Sequence, residues 1–105
     1  MSRQIENSKT ILSASAADVA AANATWYDIE GPDQIAFDIQ ITGAVNVKLD
    51  FDLHNNNSAS SQSEYTANAQ VVLDDPMGQV RAFCNNCGAG EAATVKMRRI
   101  FHNQR

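Results

Sequence analysis

The sequence predicts an all-β chain folded as a single antiparallel β-sandwich, jelly-roll-like, with about seven strands and an N-terminal arm. Three observations carry this expectation. Apolar residues alternate with polar ones over two long runs, 35–41 and 45–53. Turn chemistry separates the runs, at Gly31-Pro32-Asp33, Thr42-Gly43-Ala44 and Asp74-Asp75-Pro76-Met77-Gly78. Candidate strands recur at a spacing of roughly 8–12 residues, which is the rhythm of sandwiches and barrels.

In chain order, residues 1–9 have little to pack and form an arm that is free or ordered only by a neighbour, leaving 10–105 as the sandwich domain. Thr10 to Ser13 is a short strand. Ala14 to Ala24 is either a marginal helix opened by Ser15-Ala-Ala-Asp18 or an extended crossing segment. Trp26 to Ile29 is a strand whose Trp26 and Tyr27 point to opposite faces. Ile35, Phe37, Ile39 and Ile41, then Val45, Val47, Leu49, Phe51 and Leu53, place apolar side chains on one face of each run, and the short Thr42-Gly43-Ala44 link predicts that the two runs pair as a hairpin. Residues 54–64 carry one alanine and are otherwise polar, which is the composition of an exposed loop. Tyr65 to Leu73, Val80 to Cys84 and Thr94 to Phe101 complete the strands.

A chain of 105 residues holds one domain. Ile, Leu, Val and Phe together number 22, enough for a small core that gains from subunit contacts. The net charge of −4 disfavours a nucleic-acid coat, because phosphate neutralisation supplies most non-specific affinity. Charge is uneven: residues 94–105 hold Lys96, Arg98, Arg99 and Arg105 and no acid, against an acidic body. The first residues contain no apolar signal region and no stretch has the length of a membrane span, so the expectation is synthesis in the cytoplasm without export and no membrane partner.

Cys84 and Cys87 are the most conspicuous spacing. Zinc needs four ligands and only His54 and His102 are left to supply the rest, while a thioredoxin-like site needs its first cysteine at a helix N-terminus, where this sequence has a loop after a strand. The pair is therefore expected as two thiols or as a short-loop disulfide, with no metal and no cofactor. Asp50, Asp52, Asp74 and Asp75 fit no EF-hand spacing and read as solvated carboxylates. No nucleophile elbow, P-loop or dinucleotide fingerprint occurs, so no catalytic residues are expected. Trp26, Tyr27 and Tyr65 are the side chains that a carbohydrate-binding sandwich would use.

Taken together, Thr10-Ile-Leu-Ser-Ala14 after a polar arm, an Ala-rich passage, Trp26-Tyr-Asp-Ile-Glu-Gly31, the alternating strands to either side of Thr42-Gly43, Pro76-Met-Gly-Gln-Val-Arg-Ala82 and Thr94-Val-Lys-Met97 form an order of elements. Over residues 10–101 this order resembles the small β-sandwich structural proteins of tailed bacteriophages that decorate or cement heads or sit at neck and tail positions. The resemblance implies a virion protein that is a homo-oligomer, commonly a trimer, and that clamps the major capsid protein. Arg3 and Ile5 of the arm, and Lys96, Arg98, Arg99 and Phe101 of the basic end, are then the candidate interface residues. Neck or tail accessory proteins and a carbohydrate-binding module are the alternatives.

Overall fold

In the computed structural model the backbone is described over residues 2–103 and the side chains over 4–102. The strands are β1 (Ser2–Ile5), β2 (Lys9–Ser15), β3 (Tyr27–Asp28), β4 (Gln34–Thr42), β5 (Asn46–Asp52), β6 (Ser61–Tyr65), β7 (Ala69–Asp74), β8 (Gln79–Asn85) and β9 (Ala92–Asn103). One sheet runs β1-β9-β4-β7, with β2 also on β9, and the other runs β3-β8-β5-β6. Every pairing is antiparallel.

Because β1 and β2 share one edge of β9, they act as one interrupted strand. The pairs then nest: first with last (β1 and β2 on β9), β3 on β8, β4 on β7 and β5 on β6. This is the winding of a jelly roll, two Greek keys closed over one core. The expected all-β sandwich is thus the observed fold, with more strands than the sequence resolves.

Period-2 patterning decides which side of each strand is buried. Ile35, Phe37 and Ile39 of β4 and Val47 and Leu49 of β5 are buried, as are Val80, Ala82 and Cys84 of β8 and Ala93, Val95 and Met97 of β9. In β2 a register shift between Thr10 and Leu12 marks a bulge, and Ile11 and Leu12, although consecutive, are both buried.

Three local expectations are corrected and one open alternative is decided. Runs 35–41 and 45–53 do not pair as a hairpin: β4 and β5 lie in different sheets, and the chain crosses between them at Gly43, where φ is +92°. The crossing turns two one-sided apolar faces toward each other, so that Phe37 meets Phe51 edge to face at 6.1 Å. Side-by-side pairing would have left both faces needing another cover. Second, the arm is not free: Ser2–Ile5 pairs with Ile100–Asn103, because β9, at twelve residues, runs on past Met97, where its pairing with β2 ends, and leaves that edge open. Third, the polar stretch 54–64 is a loop only as far as Ser60, and Ser61–Tyr65 pairs with β5, so that 61–74 forms two strands in different sheets. Of the two readings of Ala14 to Ala24, the extended crossing segment is the one observed, with a single 3-10 turn at Ala21–Asn23, and Val19 bridges Cys84 through two backbone hydrogen bonds.

Gly78 has a required role. Its φ is +83°, and a Cβ there would run into the Asp52 carbonyl oxygen. Gly78→Ala is expected to destabilise the fold by about 2 kcal/mol or more, since both the backbone region and the space are wrong for a side chain. The shift in denaturant midpoint at unchanged slope measures it.

Candidate functional site

Three places concentrate polar or reactive side chains. The first is the end of the sandwich where β4 and β8 begin and β5 and β7 end. Asp52 is fully buried there. Its Oδ1 accepts the His54 N–H at 3.0 Å, and its Oδ2 accepts the Asn57 N–H at 2.6 Å and Gln79 Nε2 at 2.8 Å. Burial pushes its pKa up, but the Gln79 donor and the backbone donors of His54, Asn57 and Asn56 together outweigh it and hold the carboxyl below the usual aspartate value. The run His54-Asn-Asn-Asn57 is folded around this carboxylate, with Asn55 and Asn57 at positive φ, as asparagine tolerates.

Beside this loop the sandwich gapes. A cleft of about 510 Å³ between the β6 and β7 edges is lined by Phe51, Leu53, Leu73, Pro76 and Met77, with serines on its rim. Leu53 and Met77 are exposed, at 49% and 60%.

The second place is the outward face of the β3-β8-β5-β6 sheet. Asp50 is buried and its Oδ2 lies 2.9 Å from Arg81 Nε, while Gln62 Nε2 donates to Oδ1 at 2.6 Å. Arg81 also donates to the Ala21 carbonyl at 3.3 Å and stacks on Trp26, 4.5 Å from its centroid. The expectation that Asp50 and Asp52 are solvated is therefore corrected. Each sits on the polar face of β5, but the chain folds over that face and supplies donors to both.

The third place, at the other end, holds Cys84 and Cys87. Both are buried free thiols. Cys87 Sγ donates to the Glu91 carbonyl at 3.5 Å, and the Cys87 N–H donates to Asp18 Oδ1 at 2.7 Å. Burial, together with the neighbouring Cys87 and Asp18, pushes the Cys84 thiol up despite the opposing Val19 N–H, which keeps it protonated. Glu91 caps the same loop by accepting from the Ala44 and Gly88 N–H groups, which hold its carboxyl below the usual range. Asn85 Oδ1 is buried without a partner. His54 and His102 belong to the opposite end, at the close of β5 and of β9, and among the described residues no three metal-binding side chains gather.

The candidate interface residues do not form one patch. Lys96 and Arg98 are exposed on the outward face of β9, beside Asp38 and the small Ala36. Arg99 and Phe101 alternate with them on the opposite side, where Arg99 Nε pairs with Glu6 Oε1 at 2.8 Å and the guanidinium lies 5.7 Å from the Phe101 ring. The Glu6 hydrogen bond raises the Arg99 pKa. Ile5 is 42% exposed, and the Arg3 side chain lies outside the described residues. Trp26, Tyr27 and Tyr65 are not brought together: Tyr27 is on β3 at one edge of its sheet, under Lys9 Nζ at 4.9 Å, and Tyr65 is on β6 at the other edge.

No family model, curated protein or solved structure matches the chain.

Two outcomes follow. Arg81→Met leaves Asp50 buried without its cation and is expected to cost about 2–3 kcal/mol, at the moderate end because the Arg81 side chain is 20% open to solvent. For Asp52 the folded pKa is depressed, so its contribution is present above the ordinary aspartate value and is lost as pH falls through the folded value. Below about pH 4 the wild-type stability is expected to drop. Asp52→Asn is expected to be less stable at pH 7, with the gap to wild type narrowing as the medium is acidified, measured by urea unfolding at a series of pH values.

Proposed function

We propose that the protein is a structural component of a bacteriophage virion, a head decoration or cement protein that binds the major capsid protein as a homo-oligomer. The observation that carries this reading is the jelly-roll winding, an architecture used by capsid and lectin domains, here in a chain of only 105 residues. So small a domain leaves a large part of its surface uncovered and gains stability from whatever it binds in its folded form.

The distribution of polar groups supports the same reading. Asp50, Asp52, Glu91 and Arg99 are each engaged in holding loops or strands together. Lys96 and Arg98, in contrast, stand exposed on the outward sheet face, where they line a hollow of about 400 Å³ and where opposite charge on a shell subunit can orient the docked protein. A neck or tail position would use the same surfaces, and the same experiment separates it from the head.

Quantitative mass spectrometry of gradient-purified particles, intact and after separation of heads from tails, tests the proposal. The expected result is many copies per particle, partitioning with heads, and release of Lys96→Glu/Arg98→Glu protein at lower salt than wild type. Presence in the lysate with absence from purified particles would overturn it, and partition with tails would move the protein to the alternative position.

A further inference from the structure

An open sandwich has sheet edges to protect, and the edges of this one are not treated alike. The β1/β2 edge is interrupted at residues 6–8 and bulged between Thr10 and Leu12. The β3 edge has only two paired residues and continues into a 3-10 turn. The β6 edge is short and polar, Ser-Gln-Ser-Glu-Tyr. β7 is different. It pairs with β4 without a register shift from Ala69 to Asp74, its middle is Val71-Val72-Leu73, and it contains no proline, glycine or lysine. Bulges, prolines and lysines are usual guards against edge pairing, and β7 has none of them.

The hydrogen-bond phase of that edge can be read from its neighbours. Asp75 N–H donates to the Asp33 carbonyl at 2.9 Å, in register with the β4–β7 ladder, and Ile41 N–H, on the same side of β4, reaches Asn68 Oδ1 at 2.7 Å. Antiparallel alternation then turns the N–H and C=O groups of Ala69, Val71 and Leu73 toward β4 and those of Gln70, Val72 and Asp74 outward. No strand lies beyond β7 among the described residues. Val72, at the centre of this edge, is 56% exposed.

We propose that β7 is the seam of a homodimer, pairing antiparallel with β7 of a second copy about a two-fold axis through Val72. In that register the outward groups of Val72 exchange hydrogen bonds with Val72 of the second copy, and those of Gln70 exchange with Asp74 on either side. The side chains match as well: Val72 lies on Val72, Val71 on Leu73, and the Gln70 amide on the Asp74 carboxylate. The edge is self-complementary, which an isologous contact requires, and the same strand cannot serve a three-fold contact. The two Leu73-Met77 clefts flank the seam and lose exposed apolar surface as it closes. The inference is independent of the virion reading, since it concerns the purified chain alone.

Light scattering after size exclusion, from the low micromolar to the millimolar range, is the test. The wild type is expected to approach twice the chain mass. Val72→Lys, which sets like charges opposite each other on the axis without touching the β4 ladder, is expected to be monomeric with an unchanged circular dichroism spectrum, and to melt at one concentration-independent midpoint, whereas the wild-type midpoint rises with protein concentration. Gln70→Glu, which opposes Asp74 at both symmetry-related positions, is expected to weaken the dimer by roughly tenfold. Val72→Cys is expected to form an intermolecular disulfide under mild oxidation, because a hydrogen-bonded antiparallel pair sets its Cα atoms about 5.5 Å apart, inside the disulfide range. A monomer at every concentration, a trimer, or a dimer that Val72→Lys and Gln70→Glu leave intact would each overturn the proposal, whatever the fate of the protein on particles.

Discussion

Ile35, Phe37 and Ile39 on one sheet face Val47, Leu49 and Phe51 on the other, and the rest of the architecture depends on that contact. Each of these strands has a single apolar face, so neither is satisfied until it is covered. Once β4 and β5 are turned toward each other at Gly43, their neighbours are constrained. β9 and β7 flank β4, β8 and β6 flank β5, and the links between them wind the chain into nested pairs. The jelly roll is in this sense one way to enclose two amphipathic ribbons drawn from one chain.

Enclosing the core forces loops to cross both ends, and those loops bring backbone donors that must be satisfied. The acidic residues meet this need. Asp52 gathers the N–H groups of the loop after β5, Glu91 joins the β4–β5 crossing to the β8–β9 loop, and Asp18 holds Cys87. A carboxylate accepts several such bonds at once, and charge strengthens each of them, which offsets the cost of burying it. The acidity of the chain body is therefore partly architectural and not only a solvated surface.

The same logic separates the cysteines and cations by role. Cys84 is one of the inward side chains of β8, and Cys87 closes the loop beneath it, so both behave as small apolar groups with a weak donor. On β9 the alternation divides the basic cluster. Arg99 is used to fasten Glu6, the residue that follows β1, whereas Lys96 and Arg98 are left to the exterior. The free edge at β7 and the exposed cations thus lie on the same sheet, one at its rim and the other on its face.

Local pattern is enough for the class of fold, the two long strands and the apolar face that each turns to the core, because amphipathic alternation is a local property and one strand displays it whole. It also marked the turns at Gly43 and Gly78, where glycine is needed for its backbone angle. Which strands are neighbours is settled by long-range packing. Alternation says that a face will be covered and does not say by what, so a crossing at residues 43–45 looks like a hairpin until both sheets are present. Ser61–Tyr65 has the composition of a loop and becomes β6 because Val47 to Phe51 offer it a ladder. Ser2–Ile5 has nothing to pack and becomes β1 because β9 extends past the end of β2 on the same edge. Asp50 and Asp52 alternate as solvent-facing residues should, yet are buried by segments distant in sequence. In each of these cases the deciding partner lies far along the chain, and no local pattern records it.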